Sequence, residues 1–313
     1  MELTGIAVPF DLQAIYASLV GNTQWIQGVG DLGLQIWLGA AFRPEQLDEF
    51  FDKFDCESAL DNYCDARESR TMELSWLLAG LAHAAETSTR LASSLTDLCI
   101  RSYHLIEENQ DEYGFFGHMG IKKSLAGRLR GRIGSFADQA YAIYALSKFA
   151  STFHVEDPLG PALECATAVC GAQGELGQWW WLYDTHSGRV RSRYPVYSVH
   201  QYGLAPMALF GIEEATGQCF QEFVEKGLFW INGANELRAD MRDVAQSLIW
   251  RGVIPTNTRA KYWEMMLSAV RPPAAELQAS ALKVLPEQRP YEFGWLLYAF
   301  ASHTQAKAFT QSV

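Results

Sequence analysis

The sequence predicts an all-α chain closed into one ring, with about six inner helices backed by five to six outer ones over residues 1–313. Two observations predict it. The first is a pattern that recurs six times: an acid or amide opening a helix, a small residue two places on, then apolar and aromatic residues. It reads Asp31-Leu-Gly33-Leu-Gln-Ile-Trp37, Glu73-Leu-Ser75-Trp76, Asp138-Gln-Ala140-Tyr141, Gln201-Tyr-Gly203-Leu204, Asp243-Val-Ala245-Gln246 and Glu292-Phe-Gly294-Trp295. Self-similarity of this kind marks a repeat architecture, in which each unit buries its apolar face against its neighbours. The second is a pair of turns, Gln110-Asp-Glu-Tyr-Gly114-Phe-Phe116 and Gln173-Gly-Glu-Leu-Gly177-Gln-Trp179. Both fit Gln-x3-Gly-x-aromatic and lie 63 residues apart, the spacing that also separates Asp138 from Gln201. Glycine supplies an unusual backbone angle, the amide can bond helix-end backbone groups, and the aromatic wedges between helices.

Taken in order, residues 10–27 give a first helix with Ile15, Leu19 and Trp25 on its apolar face, and Asp31 opens the first inner helix, which Arg43-Pro44 ends. Residues 45–54 are amphipathic and acidic, as an outer helix with one solvated face should be. Residues 55–70 are polar, a loop or short helix. Residues 71–86 are apolar nearly all round, which suits a second inner helix buried on both sides, with 93–108 as its outer partner after a Ser/Thr cap. The helix led by Asp138 is the third, backed by 161–171. Residues 196–216 form the fourth, with Pro206 placed to kink it, backed by 218–232. Residues 240–251 form the fifth, backed by 258–270 and stopped by Arg271-Pro-Pro, and 290–302 form the sixth. No Gly/Ser- or Pro-rich linker divides the chain, so a single domain is expected.

Composition narrows the function classes. Hydrophobic residues at 49% and aromatics at 13% place the chain among well-packed globular proteins. A net charge of -11 argues against a nucleic-acid binder, which carries a basic footprint. The six cysteines show no CxxC pair and no Cys/His spacing of a zinc site, and no apolar run reaches membrane-spanning length. The N-terminus lacks a signal-peptide pattern, so a cytoplasmic location is expected.

The two turns resemble the glutamine-tryptophan motif of squalene and terpenoid cyclases, whose family fold is a single α/α toroid shared with protein prenyltransferases. The resemblance implies that toroid here. It does not carry over catalytic residues: the Asp-x-Asp-Asp motif of the cyclases is absent, the nearest string being Asp240-Met-Arg-Asp243, and so are the zinc ligands of the prenyltransferases.

A ring of inner helices would turn its first turns toward one hollow. The carboxylates Asp138, Asp31, Glu73, Asp243 and Glu292, with His200 beside Gln201, are therefore the candidate catalytic groups, Asp138 first. Several carboxylates converging on a partly dry site cannot all stay ionised, so one can serve as a proton donor. The alternative is that each acid caps its own helix, where negative charge is favoured anyway. Three places on, the same helix face carries Leu34, Trp76, Tyr141, Leu204, Gln246 and Trp295. Gln201, Trp76, Tyr141 and Trp295 are thus candidate substrate contacts. Two basic loops approach the same end: residues 117–132 with Lys122, Lys123, Arg128, Arg130 and Arg132, and residues 179–197 with Arg189, Arg191, Arg193, Tyr194, Tyr197 and His186. Arg132, Arg191 and Arg193 can clamp a phosphate, diphosphate or uronate, or simply pair with the protein's own acids.

Three functions fit. One is a terpenoid cyclase or isomerase-type enzyme that protonates a prenyl-type substrate inside an aromatic cavity, with no cofactor, or Mg if the substrate bears a diphosphate. A second is a carbohydrate-active toroid, a glycosidase, lyase or epimerase using paired carboxylates. A third is a noncatalytic binding or scaffold ring. The expected partner of either enzyme is a small-molecule substrate.

Overall fold

The computed structural model describes residues 26, 28–66, 70–120, 131–257 and 277–302. Among the described residues ten helices carry the fold: α1 (Val29–Phe42), α2 (Leu47–Lys53), α3 (Cys56–Ala66), α4 (Thr71–Ala85), α5 (Thr89–Glu107), α6 (Phe136–Phe153), α7 (Leu159–Gly171), α8 (Ala205–Thr216), α9 (Gln221–Ile231) and α10 (Pro290–Ser302). The inner set is α1, α4, α6, α8 and α10. In this set α4 packs on α1 and α6, α6 on α8, and α8 on α10. Outer helices α5, α7 and α9 back α4, α6 and α8. The helix expected at 10–27, apart from Ile26, the one at 258–270 and Arg271-Pro-Pro fall outside the described residues, as do the cations Lys122, Lys123, Arg128 and Arg130.

The small residues of the repeat act where two helices touch. A Cβ on Gly33 would stand 2.4 Å from the Leu77 backbone, and one on Gly80 would stand 2.2 Å from the Gly33 carbonyl oxygen, so α1 and α4 meet backbone to backbone. Gly203 likewise faces Trp295, whereas Gly294 faces open space.

The two Gln-x3-Gly-x-aromatic turns are built alike. Gln110 Nε2 donates to the Gly114 carbonyl (3.0 Å) and to the Pro161 carbonyl on α7 (2.9 Å). Gln173 Nε2 donates to the Gly177 carbonyl (3.1 Å) and to the Phe223 carbonyl on α9 (2.9 Å). Both glycines have left-handed backbone, φ 80° and 93°, and Phe116 and Trp179 are fully buried. Each glutamine therefore staples the turn that follows one outer helix to the first turn of the next, by donating to a carbonyl of each.

Three departures from the sequence reading matter. First, residues 240–251 are not an inner helix. They form a hairpin of β5 (Arg242–Asp243) and β6 (Leu248–Ile249), and the Trp250 N–H bonds the Met241 carbonyl at 2.7 Å. Asp240 accepts from the Arg242 backbone (2.9 Å) and Asp243 from the Gln246 backbone (3.1 Å), local bonds that compete with helix formation, and Val244 is 80% exposed at the tip. Second, short strands enter an otherwise helical chain. β1 (Ile133–Ser135), β2 (Leu182–Asp184) and β3 (Arg189–Ser192) make one small antiparallel sheet. Another is formed by β4 (Val196–Tyr197), β7 (Gly252–Pro255) and β8 (Leu282–Leu285). Third, the fourth inner helix opens with a π-helical turn, His200–Leu204, just ahead of Pro206, which has no N–H to give.

That π turn shifts the register of the repeat by one residue. Gln139 brackets the Phe116 backbone, accepting from its N–H (2.7 Å) and donating to its carbonyl (2.8 Å). Gln201, with its amide nitrogen donating and oxygen accepting, brackets the matching turn: it donates to the Gly177 carbonyl (2.9 Å) and accepts from the Trp179 N–H (3.3 Å). Gln201 is thus the counterpart of Gln139, and His200, not Gln201, occupies the place of Asp138.

Candidate active site

Where the inner helices converge lies a cavity of about 470 Å³. Its wall is drawn from α1 (Leu34), α4 (Met72, Trp76), α6 (Ala137, Tyr141), the β4–α8 segment (Tyr197, Val199, His200, Leu204), Arg251 ahead of β7, and α10 (Tyr291, Glu292, Trp295). Tyr141 meets Trp76 and Trp295 edge-on, each at 5.4 Å between ring centroids, so three helices contribute to one aromatic band.

Below the band the ring is closed. Trp37 stacks on His83 (5.1 Å) and Tyr144 (5.3 Å), and Tyr298 stands on its edge (5.5 Å). The Tyr144 and Tyr298 hydroxyls bond each other, and both reach His83 Nε2, at 2.8 and 3.2 Å. Except for His83, these residues sit one helical turn past cavity residues, at 34 to 37, 141 to 144 and 295 to 298. The cavity is therefore a cup.

The polar end of the cup holds three groups. Glu292, in the first turn of α10, has a side chain 1% exposed, and neither carboxylate oxygen has a hydrogen-bond partner among the described residues. Burial raises its carboxyl pKa above the ordinary value, and the Arg251 charge opposes that rise. Arg251 Nε approaches Glu292 Oε1 at 3.5 Å, while Arg251 Nη1 bonds Glu287 Oε2 at 3.0 Å. The backbone fixes this arginine from both sides: its N–H donates to the Glu287 carbonyl (2.9 Å) and its carbonyl accepts from the Ser198 N–H (2.8 Å). Its guanidinium lies over Tyr197 at 5.1 Å. His200 is packed between Phe136 (4.9 Å) and Tyr197 (5.4 Å), with Nδ1 unpartnered among the described residues. Burial, and then the Arg251 charge, push its pKa down to about 3, so the imidazole is neutral at physiological pH.

Of the residues singled out in the sequence, Glu292, His200, Trp76, Tyr141, Tyr197 and Trp295 come together at this cavity. Leu34 and Leu204, from the same helix faces, line it too, and the other candidate site residues do not. Asp138 is fully buried in a capping box, accepting from the Ser135 N–H (2.8 Å) and hydroxyl (2.7 Å), with His118 Nδ1 at 3.2 Å. Glu73 pairs with Arg70 at 2.7 Å, and Asp31 sits half-buried in the first turn of α1. Asp243 stands on the exposed hairpin, and Gln201 clamps a turn. Tyr194 donates to Glu236 at 3.1 Å. His186 is on the exposed β2–β3 turn, 3.9 Å from Asp111, and Arg132 is exposed. Arg191 lies 3.9 Å from Asp184. Arg193 covers Trp180 (5.5 Å) and, with Arg189 and Tyr113, borders a separate outer groove. Sequence reasoning missed Arg251 and Tyr291. Tyr291 directly precedes Glu292 and was legible as its neighbour. Arg251 was hidden by reading its segment as helix. Among the described residues no group of three or more His, Cys, Asp or Glu could hold a metal, and no helix is long and apolar enough to cross a membrane.

No protein-family model matches the sequence, and no curated protein sequence does. Solved structures do match. The chain is similar to the GH76 α-mannanase BT2949 of Bacteroides thetaiotaomicron, with TM-score 0.52 and 10% identity, over 90% of this chain and 86% of that one. It is also similar to the unsaturated glucuronyl hydrolase of Bacillus sp. GL1, described as responsible for the degradation of glycosaminoglycan. There the TM-score is 0.51 and the identity 16%, over 92% of this chain and 77% of that one. A D-mannose isomerase matches more loosely, with TM-score 0.45 and 11% identity over 64% of this chain, which spans 59% of that protein's length. The fold is thus an all-α toroid, shared with the mannanase and the glucuronyl hydrolase just named. This corrects the likeness to terpenoid cyclases and protein prenyltransferases, and with it the prenyl-cyclising function: the Gln-x3-Gly-x-aromatic turn is a device for joining successive helix pairs and carries no chemistry of its own.

Proposed function

We propose that this chain is a carbohydrate-active enzyme that moves a proton between adjacent carbons of a sugar, as an isomerase or epimerase does. The kinship of fold with carbohydrate enzymes is support by analogy. The observation that carries the reading is the convergence of Glu292, His200 and Arg251 at one end of an aromatic cup, with both Glu292 carboxylate oxygens, His200 Nδ1 and Arg251 Nε left without hydrogen-bond partners among the described residues. Buried polar groups in that condition are costly unless a ligand satisfies them.

The roles follow from charge. The Glu292 carboxylate, made more basic by burial, takes the proton from the carbon beside the carbonyl of an open-chain sugar. The C–H electron pair becomes a C=C bond and the carbonyl pair moves to oxygen, giving an enediolate. Neutral His200 donates a hydrogen bond to that oxygen, and the Arg251 guanidinium steadies its charge. For isomerisation the proton returns to the neighbouring carbon while the hydroxyl proton of the first carbon passes to the enediolate oxygen, so that the carbonyl re-forms one carbon along; return to the opposite face of the same carbon gives the epimer. Because the cup is closed by Trp37, His83, Tyr144 and Tyr298, the substrate presents one end to the site. Hydrolysis by a carboxylate pair fits less well, since Glu292 alone supplies a carboxylate to the described wall.

The test is incubation with free aldoses and ketoses in D2O, following deuterium uptake at the carbon beside the carbonyl by NMR. Uptake that disappears in Glu292→Gln is expected. Release of sugar from glycosides, with no C–H exchange, would overturn the assignment.

A further inference from the structure

We propose that Tyr141 is a further catalytic residue, the carrier of the hydroxyl proton from one sugar oxygen to its neighbour, and that the reaction therefore runs from an aldose to the ketose. The inference rests on the proton-transfer reading above, which leaves that proton without a carrier.

Geometry singles this residue out. Tyr141 and Ala137, about one helical turn apart on α6, both line the cup. Side chains on a helix lean toward its N-terminus, so the Tyr141 ring runs past the small Ala137 toward the first turns, where Glu292 and His200 stand. Tyr291, beside Glu292, is near enough to act electrostatically on the Tyr141 phenol. The floor tyrosines Tyr144 and Tyr298 have hydroxyls bonded to each other and to His83, which takes them out of play. Tyr141 is different. Burial holds its phenol protonated, well above the ordinary value, and the Trp76 indole N–H opposes that rise. Trp76 Nε1 completes no hydrogen bond among the described residues, so it is left to tighten on the phenol oxygen as negative charge develops there.

The transfer needs a group that gives and accepts at one atom. Arg251 only donates, and a neutral imidazole gives and accepts at different nitrogens, whereas a phenol hydroxyl does both at its oxygen. Once Glu292 has taken the C–H proton, Tyr141 passes its own proton to the oxygen that was the carbonyl and takes the proton of the adjacent hydroxyl. The electron pair left on that second oxygen becomes the new C=O bond. The C=C pair then takes the proton back from Glu292 at the former carbonyl carbon. Tyr141 and Glu292 end as they began. Exchange or epimerisation at the first carbon needs no such transfer.

The experiment incubates D-glucose, D-mannose and D-galactose in D2O with wild type and with Tyr141→Phe. NMR follows deuterium at C2 of the recovered aldose and the ketose formed beside it. The phenylalanine keeps the ring that packs on Trp76 and Trp295. Ketose formation should fall by about 10²-fold, and exchange by no more than about threefold. The ratio of the two rates does not depend on how much of the protein is folded. A fall of both by the same factor, or of neither, would overturn the role of Tyr141. Exchange in wild type with an epimer but no ketose would overturn it as well, leaving the proton-transfer reading intact. Neither exchange nor ketose with any of the three sugars would overturn both.

Discussion

Asp138 and His200 occupy the same place in successive repeats, and the structure holds them in opposite ways. Each precedes a glutamine that brackets the backbone of a Gln-x3-Gly-x-aromatic turn. At the first, the polar side chain is consumed by its own helix start and by His118. At the second, a π turn rotates the side chain into the cup and leaves Nδ1 without a partner among the described residues. Position in a repeat therefore does not decide a residue's role. What decides it is whether the local backbone has already claimed the side chain.

The comparison breaks or sharpens through substitution. The largest effect should be on activity: Glu292→Gln keeps shape but removes the base, lowering proton exchange by about 10²–10⁴-fold with little change in melting temperature. His200→Gln should cost about 10²-fold by removing one donor to the developing oxyanion, again without unfolding the protein. Asp138→Ala should do the reverse. It removes a cap and strands buried donors, so urea unfolding should show a loss of about 2–4 kcal/mol, while the folded fraction keeps its exchange rate. Equal activity losses in Asp138→Ala and His200→Gln, corrected for folded fraction, would erase the distinction. Gln139→Ala should cost about 2 kcal/mol by stranding both the Phe116 N–H and carbonyl, and Gln201→Ala about half that, since Gln173 still bonds the Gly177 carbonyl and only the Trp179 N–H is stranded; urea unfolding of the two variants checks the order.

Stability against pH separates the two sites more finely. The unfolded chain protonates His200 near its ordinary value, whereas the folded chain holds it neutral down to about 3. Between those limits the unfolded state binds more protons, so stability falls as pH drops from about 6.5 toward 3. Glu292 works in the opposite sense: its raised value favours the folded state at low pH and loses that contribution as pH rises through it. His200→Gln should flatten the acid limb of the unfolding profile relative to wild type.

Much of the architecture was legible because it rests on local chemistry. Gln110, Gly114, Gln173 and Gly177 announce their turns through spacing, and the helix starts at Asp31, Glu73, Asp138 and Glu292 are helix starts in the structure. The start expected at Asp243 failed because its side chain bonds the Gln246 backbone and closes a turn. The site was legible where it lies on inner helices, as with Trp76, Tyr141, Glu292 and Trp295. It was not legible at Arg251, whose place depends on strand pairing between residues far apart in the chain, Ser198 on one side and Glu287 on the other. The closed floor escaped notice for a similar reason: Trp37, His83, Tyr144 and Tyr298 meet only when four helices are assembled.

The most direct measurement is the ring-nitrogen NMR of His200, assigned by its loss in His200→Gln, recorded against pH and then with a neutral hexose added. The imidazole should stay neutral down to about pH 4, and its resonances should move when the sugar binds. A histidine that titrates near 6.5, and is indifferent to every sugar tested, would contradict the account.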